Sequence, residues 1–290
     1  MNNFQNFGIE NGICNNYAMR GFNAVYTQNN KKLFAMNFNL QCFNAKIDEF
    51  SAFLHELNLP PKILCLTETW FASHNTQNID SYKPFHSTRN EEHEHGGVSI
   101  FVLDSLPVKC TEVSSRSLPE LEYIHVRLNF TTKNAKKLDV VGMYRPSGAS
   151  LPDFFSSLEI ALSNIVSTND LIIMGDFNIC GLVPSPSLDN YIDLMCSFGL
   201  MPHIDKVTRP NPRGEDTLLD HTWSNFGFNF ESGVFNEILI SDHYISFTFF
   251  PLDLSTEKKK ISFRDHSEAN ILKMTNYLIK NRKGLKEILV

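Results

Sequence analysis

Apolar residues along the chain alternate between short strand-like runs and helical spacing, a pattern typical of a mixed α/β domain. Helical spacing predicts helices over 46–57 and 153–166. Four predicted strands between 98 and 144 follow one another without a helix, so we expect antiparallel pairing and not a purely parallel sheet. The predicted strands are 33–38, 63–66, 98–103, 108–113, 123–128, 138–144, 171–174, 237–240 and 244–250.

Both ends of the chain depart from this pattern. Residues 1–32 are rich in asparagine and show no periodicity, so we expect a disordered leader before a domain over 33–252. Residues 253–290 are basic and show one amphipathic pattern over 269–279. We expect a linker with a helix there, the start of a further downstream region.

The composition is that of a globular protein. Of the 290 residues, 42% are hydrophobic and 20% are charged, which suits one large core. Apolar runs are far shorter than the roughly 20 residues of a membrane helix, and the polar N-terminus does not resemble a secretory signal. We therefore predict an intracellular protein with no membrane partner, whose six scattered cysteines are small buried hydrophobes.

Charge is unevenly distributed along the chain. Residues 256–290 hold nine Lys/Arg against four Asp/Glu, which leaves 17 against 28 in residues 1–255, a net charge of −11. A protein that bound nucleic acid mainly by neutralising phosphates would show the opposite balance. Any phosphate chemistry must therefore depend on bound cations and a local basic patch.

Polar residues that could carry chemistry lie at the ends of apolar strands. Each one alone is more often a solvated turn residue, but their joint order favours a site. In an extended chain, Asp176 and Asn178 would lie on the same side. Carboxylate and amide oxygens suit Mg²⁺ or Mn²⁺, whereas zinc prefers His or Cys. The residues of this set are Asn39, Glu68, Tyr144, Asp176, Asn178, Asp220, Asp242 and His243.

Seven segments of the chain are NLQCFNAK at 39–46, LTETW at 66–70, GGVSIFV at 96–102, VVGMYRPSG at 140–148, MGDFN at 174–178, TLLD at 217–220 and SDH at 241–243. In this order they resemble the endonuclease/exonuclease/phosphatase superfamily, and more narrowly the apurinic-type endonuclease domain of non-LTR (LINE-like) retrotransposons. The resemblance runs from about Leu33 to Pro251. The basic tail from Lys258 resembles the linker that leads towards a reverse transcriptase in those elements.

The resemblance implies a fold, a cofactor and a reaction. The fold would be a DNase I-like, four-layer α/β structure, in which a two-layer mixed β-sandwich is flanked by helices and the site lies at one edge. The cofactor would be Mg²⁺, with Mn²⁺ as a possible substitute, and the partner would be DNA in the nucleus and cytoplasm. The enzyme would nick one DNA strand and leave a 3′-hydroxyl that primes reverse transcription.

The resemblance also implies roles for residues around the metal and the attacking water. Glu68 would be the principal metal ligand, and Asn39 beside it would orient the metal-bound water or the phosphate. Asp242 would be an outer metal partner or a structural one. Asp176 would polarise or deprotonate the attacking water, and Asn178 would help to hold the water and the phosphate in line.

A second implied group would contact the phosphate. Tyr144 would donate to a phosphate oxygen. His243 would stabilise the growing negative charge, with Asp220 fixing its tautomer and orientation. Thr217 stands where the family usually has a Ser or Thr near the phosphate. Arg145 would bind a phosphate or make a surface ion pair.

Several residues allow a second interpretation. His221 follows Asp220 directly and could be the phosphate-binding histidine, although an apolar strand predicted before His243 favours that residue. Residues 93–95 (HEH) lack the HExxH spacing and are more typical of a solvated loop. The glycines at 96–97 are expected to form a turn into a strand. Trp70 and Trp223 could contact a nucleotide, but packing is their more common role.

Two other functions remain open from the sequence. A phosphoesterase acting on inositol phosphates, a sphingolipid or a nucleotide would suit the acidic body, although the LTETW and YRP segments favour the retrotransposon branch. A catalytically inactive fragment that retains the fold as a binding module is the third possibility, although every expected catalytic position is filled.

Overall fold

Two mixed β-sheets form the centre of the protein. The computed structural model describes residues 4, 13–29, 31–89, 95–131, 136–166, 168–227 and 230–252. The predicted linker 253–290 and its helix lie outside these residues. The elements are β1 (Ile13–Asn16), α1 (Met19–Asn29), β2 (Leu33–Asn39), α2 (Phe43–Glu56), β3 (Ile63–Thr67), β4 (Tyr82–Ser87), β5 (Val98–Leu103), β6 (Val108–Ser117), β7 (Glu122–Phe130), β8 (Lys137–Tyr144), α3 (Leu151–Ile165), β9 (Asp170–Asp176), α4 (Pro186–Ser197), β10 (Met201–Pro202), β11 (Asp220–Ser224), β12 (Glu231–Phe235) and β13 (Ile245–Phe250).

The strand order confirms the predicted mixed sandwich. The first sheet runs β1-β12-β13-β2-β3-β5-β4, and the second runs β10-β11-β9-β8-β7-β6. The pairs β2/β3 and β8/β9 are parallel, as is the edge pair β1/β12, whereas the remaining pairs are antiparallel. The consecutive strands between 98 and 144 pair antiparallel within the second sheet from β6 to β8.

Three hydrophobic clusters give the fold its four layers. Between the sheets, the first sheet contributes Ile63 and Ile100 and the second contributes Val140 and Ile172. The outer face of the first sheet packs on α1 and α2, and that of the second packs on α3 and α4. Alternate residues of each central strand therefore face either the centre or a helical layer, so that nearly every position of β2, β3, β5, β8, β9 and β13 is buried. The edge strand β6, in contrast, has no buried position.

For residues 13–29, the prediction of a disordered leader is wrong. Residues 13–29 form β1, which pairs with β12, and α1, which lies on the first sheet. Phe22 is fully buried, and its ring packs edge-on against Phe247 with centroids 4.9 Å apart. The prediction weighed the asparagine-rich composition and overlooked Phe22 and Tyr26, two buried aromatic residues one helical turn apart.

Other differences from the predicted elements follow from local sequence. Residues 237–240 are not a strand; β12 ends at Phe235. β4 was not among the predicted strands. It contains Pro84, which is tolerated because this strand forms an edge of its sheet. β11 (DHTWS) was not predicted because its buried side chains are mostly polar. Among the six cysteines, only Cys14 and Cys65 are buried.

Within the part of the chain that the structure describes, no helix is long and apolar enough to cross a membrane.

Candidate active site

The strand directions explain why polar residues far apart in sequence meet at one edge of the sandwich. β2 and β3 are parallel and end at Asn39 and Thr67, immediately before Glu68. β8 and β9 are parallel and end at Tyr144 and Asp176. β11 and β13 run antiparallel to their neighbours β9 and β2, so their starts lie at the same edge as the ends of those neighbours. Asp220 begins β11, and His243 lies two residues before β13.

Asn39 joins two carboxylates of this edge. Its Nδ2 donates to Glu68 Oε1 at 2.9 Å and to Asp176 Oδ2 at 2.8 Å, and its Oδ1 accepts from the backbone N–H of Gln41 at 3.2 Å. Because ionised carboxylates only accept hydrogen bonds, the amide must turn its NH₂ group towards them. Asn39 is fully buried, so it fixes the spacing between Glu68 and Asp176.

His243 and Asp220 form a buried pair beside Asp176. The His243 Nδ1 lies 2.7 Å from Asp220 Oδ2, and the two side chains are 3% and 0% exposed. Two hydroxyls hold the backbone around the pair. Thr208 Oγ1 accepts from the N–H of Asp220 at 3.0 Å, and Ser241 Oγ accepts from the N–H of His243 at 3.1 Å while donating to Asn39 O.

The pKa values in this cluster reflect burial and close charges. Burial raises the pKa of Asp176, the charge of Asp220 raises it further, and His243 opposes the rise. Burial alone would lower the pKa of His243, but the charge and hydrogen bond of Asp220 raise it to about 9. His243 therefore carries its proton at neutral pH, as an imidazolium whose Nδ1 is held by Asp220.

Glu68 lies in a tight turn that follows β3. Glu68 and Trp70 both have left-handed backbone conformations, with φ values of 51° and 57°. Backbone bonds fix this turn on both sides, from Cys42 N to Glu68 O at 2.9 Å and from Trp70 N to Gly96 O at 2.8 Å. The turn directs the half-buried Glu68 side chain towards Tyr144, whose hydroxyl donates to Glu68 Oε1 at 3.2 Å.

The buried carboxylate of Glu122 supports this turn from behind. Its Oε2 accepts the N–H of Gly97, and its Oε1 lies 3.4 Å from Nε of Arg89. Gly96 has a φ of 105°, and a Cβ there would lie 2.7 Å from Glu122 Oε1, so only glycine fits. Burial raises the pKa of Glu122 to about 6, against the lowering effects of Gly97 and Arg89.

Tyr144 stays protonated in these surroundings. Burial, and then the charges of Glu68 and Asp176, raise its pKa far above the ordinary value of 10. The phenol is therefore a permanent hydrogen-bond donor next to Glu68.

The predicted phosphate-binding role of Arg145 does not agree with the structure. Arg145 is 5% exposed. Its Nη1 donates to Asn178 O at 3.1 Å, its Nη2 donates to Ala149 O, and its guanidinium lies over the ring of Phe154. These contacts direct it into the protein, where it fixes the loop after β8, and no surface ion pair forms among the described residues.

Three other predicted site residues have contacts of their own. The hydroxyl of Thr217 hydrogen-bonds the backbone oxygen of Arg209 at 3.4 Å. Asn178 does not continue an extended strand, since its φ is 49°; its side chain donates to Arg145 O at 2.7 Å. Asp242 is 42% exposed and pairs with Arg209 at 2.7 Å, while its Oδ1 lies 3.8 Å from His243 Nε2. The roles of these residues in a reaction remain predictions.

The alternatives left open by the sequence occupy other places. His221 is fully buried, stacked on Phe177 and hydrogen-bonded to Tyr191 and Leu218 O. Trp223 is also fully buried, and its Nε1 donates to Tyr191 at 2.9 Å.

Trp70 lies next to His95, the last residue of the HEH segment. Trp70 is half-buried near exposed His95, with ring centroids 4.5 Å apart. Residues 93–94 lie outside the described residues.

Several contributors to the site were not predicted. Thr208, Ser241 and Glu122 act through hydrogen bonds to backbone groups. No sequence pattern indicates this role for Thr208 or Glu122. Ser241 belongs to the SDH segment and could have been suspected as a turn residue that bonds its own backbone. Gly175 was expected to allow a turn, but it lies within β9, where a Cβ would clash with Met143 O.

The donor set of this edge fits a divalent metal ion. Carboxylate oxygens of Asp176 and Asp220 lie within 4.8 Å of one another, and Glu68 is joined to Asp176 through Asn39. Asp220 Oδ1 is buried and has no hydrogen-bond partner among the described residues. A buried carboxylate oxygen without a partner is costly, and a hard cation would satisfy it.

Comparison with known proteins gave one family and many similar structures. The sequence model described as "Endonuclease/Exonuclease/phosphatase family" matches residues 36–243. A search of curated proteins gave no significant match.

Three solved structures illustrate the structural similarity. The AP endonuclease LMAP from Leishmania major superposes with a TM-score of 0.61 at 14% identity, covering 76% of this chain and 88% of that one. The 3′-5′ exonuclease NExo from Neisseria meningitidis gives 0.59 at 16%, covering 75% and 99%. The endonuclease domain of TRAS1, a telomere-specific non-LTR retrotransposon, gives 0.59 at 14%, covering 77% and 99%. These likenesses confirm the DNase I-like fold.

Proposed function

The chain belongs to the endonuclease/exonuclease/phosphatase family, and from this we propose that it is a Mg²⁺-dependent DNA endonuclease that nicks one strand. The observation that carries the proposal is the buried group at the sandwich edge. In it, the His243–Asp220 pair lies beside Asp176, and Asn39 joins Asp176 to Glu68. This arrangement offers a proton acceptor and a cationic donor within one small volume.

The proposed reaction is hydrolysis of a phosphodiester bond. The oxygen of a water molecule forms a bond to phosphorus, and the bond from phosphorus to the 3′-oxygen breaks. The water loses a proton, and the 3′-oxygen gains one. The products are a 5′-phosphate and a 3′-hydroxyl, and the latter could prime reverse transcription.

Two side chains are suited to the water and the phosphate. Asp176 would accept the proton of the attacking water, for which its raised pKa is appropriate, since a general base works best with a pKa near the working pH. The imidazolium of His243 has its Nδ1 engaged with Asp220, which leaves Nε2 to donate to a phosphate oxygen. Preorganised donors of this kind stabilise charge that develops in the transition state.

Tyr144 and the metal would complete the site. The Tyr144 phenol, which keeps its proton, would donate to a second phosphate oxygen. Glu68, with the unpartnered Oδ1 of Asp220, would hold Mg²⁺ or Mn²⁺, which would supply Lewis-acid neutralisation of the phosphate charge. Asn39 would keep Glu68 and Asp176 at their spacing, and Asn178 would help to hold the water in line.

DNA as the substrate has support from the structural neighbours. LMAP is an AP endonuclease, and TRAS1 is a retrotransposon endonuclease. The motif order of the sequence favours the retrotransposon branch. NExo is also described as a 3′ phosphatase bound to a product DNA hairpin, which, with the acidic body, makes a non-nicking phosphoesterase the second candidate.

Nicking of supercoiled plasmid tests the proposal. Wild-type protein with Mg²⁺ should convert supercoiled circles to open circles, and a chelator should stop the conversion. Asp176→Asn and His243→Ala should lose it, whereas Asp48→Asn and His74→Ala, at exposed positions, serve as matched controls. A polymerase should extend the nick without prior phosphatase treatment.

Other outcomes would overturn the proposal in distinct ways. Release of inorganic phosphate from inositol phosphates or 3′-phosphorylated DNA without nicking would favour the phosphoesterase. Absence of both activities would favour an inactive fragment.

A further inference from the structure

The acidic character of the site poses a problem for a polyanionic substrate. Glu68, Asp176, Asp220 and Asp242 lie along the same edge. Arg145, the cation that the sequence suggested, donates to the backbone oxygens of Asn178 and Ala149 and is buried. A cation that can reach a flanking phosphate must therefore come from another element.

Arg209 has the position and the exposure for this task. Its backbone is fixed by a β-bridge, in which the N–H of Arg209 donates to Thr217 O and that of Thr217 donates to Arg209 O, both at 2.9 Å. Its side chain is 45% exposed. The anchored backbone limits where the guanidinium can go, while the exposed end remains open to a ligand.

The contact of Arg209 with Asp242 locates it relative to the proposed phosphate site. Nε and Nη2 of Arg209 donate to the same oxygen, Asp242 Oδ2, at 3.0 and 2.7 Å. The other oxygen of Asp242 lies 3.8 Å from Nε2 of His243. One carboxylate therefore separates the guanidinium from the imidazole that would meet the scissile phosphate.

This ion pair is one that a phosphate could replace at little cost. Exposed ion pairs contribute little to stability because water screens the charges. A guanidinium has five N–H donors and binds phosphate through two parallel hydrogen bonds, and only two of the five are committed to Asp242. The contact with Asp242 holds the guanidinium beside the edge of the sandwich where His243 lies.

We propose that Arg209 binds a DNA phosphate next to the scissile one, and that Asp242 holds it ready until the strand arrives. This inference rests on the proposed nuclease function and adds a substrate-positioning residue to it. A contact of this type sets affinity and register on the strand and does not distinguish base sequences.

The test measures binding of a fluorescent DNA duplex across a range of salt concentrations, in chelator so that the strand stays intact. Arg209→Ala should weaken binding roughly eightfold near 0.1 M salt and make the negative slope of log K against log salt shallower by about 0.9, the contribution of one phosphate. Arg209→Lys should recover most of the slope, because it keeps the charge. Arg213→Ala, exposed on the same loop, is the control and should match wild type.

Kinetics with Mg²⁺ provide the second readout. In nicking, Arg209→Ala should raise KM by a similar factor and change kcat less than about twofold. If wild-type protein nicks DNA and Arg209→Ala keeps the wild-type salt slope and KM, this inference is refuted and the nuclease function stands. A fall in kcat alone would also refute it.

Failure of the nuclease function would look different. If wild-type protein binds the duplex without nicking it, the salt slope alone decides the role of Arg209. If it does not bind the duplex at all, both proposals are wrong.

Discussion

Replacing Glu122 by Gln should change how the stability of the protein depends on pH. Glu122 is 2% exposed and lies behind the Glu68 turn. Its hydrogen bond from Gly97 can be kept by a glutamine oxygen, so the main change is the loss of an ionisable group. The comparison therefore isolates the cost of holding this carboxylate charge inside the protein.

The magnitude follows from the pKa of Glu122, which burial raises from 4.5 to about 6. Each pKa unit corresponds to 1.36 kcal/mol, so ionisation costs the folded state about 2 kcal/mol relative to the unfolded chain. Because the pKa of Glu122 is raised in the folded protein, the contribution of the protonated carboxyl to the free energy of unfolding is fully present below pH 4.5. This contribution is lost as pH rises through about 6. The glutamine variant cannot ionise and avoids the loss.

Urea unfolding of both proteins between about pH 4 and pH 8 measures the effect. The free energy of unfolding of Glu122→Gln, relative to wild type, should rise by about 2 kcal/mol over that range. Other titrating groups are common to both proteins and cancel. Glu56→Gln, at an exposed position, is the control and should show a flat difference. A flat difference for Glu122→Gln, or one that moves in favour of wild type, would mean that Arg89 and Gly97 outweigh burial.

Three further predictions concern the metal, a buried charge network and the N-terminal helix. Glu68→Ala should lose nicking activity at low Mg²⁺ and regain part of it at high Mg²⁺ or Mn²⁺; full activity at low metal would exclude Glu68 as a ligand. Asp139→Ala should cost about 3–5 kcal/mol in urea unfolding, because it leaves buried His125 and the guanidinium of Arg127 without their carboxylate; a loss below about 1 kcal/mol would contradict this. Phe22→Ala should cost about 3–5 kcal/mol, since its ring is fully buried against the first sheet; an unchanged midpoint would mean that α1 contributes little.

The sequence predicted the elements whose apolar pattern is continuous. β3, β5 and β9 are buried at almost every position, so their hydrophobic runs stand out from the loops. β11 and α1 were not predicted. Asp220 and His221 make the sequence of β11 polar, and asparagine residues interrupt the apolar pattern of α1. Their stability comes from tertiary contacts, such as the stacking of His221 on Phe177, which a local pattern does not contain.

In the candidate site, the residues at strand ends were predictable and the contacts of the arginines were not. Strand ends bring Asn39, Glu68 and Asp176 together as expected, since the directions of the strands follow from the fold. The choice between arginines was not predictable. Arg145 sits next to Tyr144 in sequence yet turns inward, whereas Arg209 reaches the site from a loop whose path depends on its bridge to Thr217.

Anomalous scattering from crystals soaked in Mn²⁺ tests most directly whether these side chains form one metal-dependent centre. The account predicts a peak in contact with a carboxylate oxygen of Glu68 and within reach of Asp176 and Asp220, and loss of that peak in Glu68→Ala. A peak elsewhere in the molecule, or no peak in a protein whose nicking survives chelation, would contradict it.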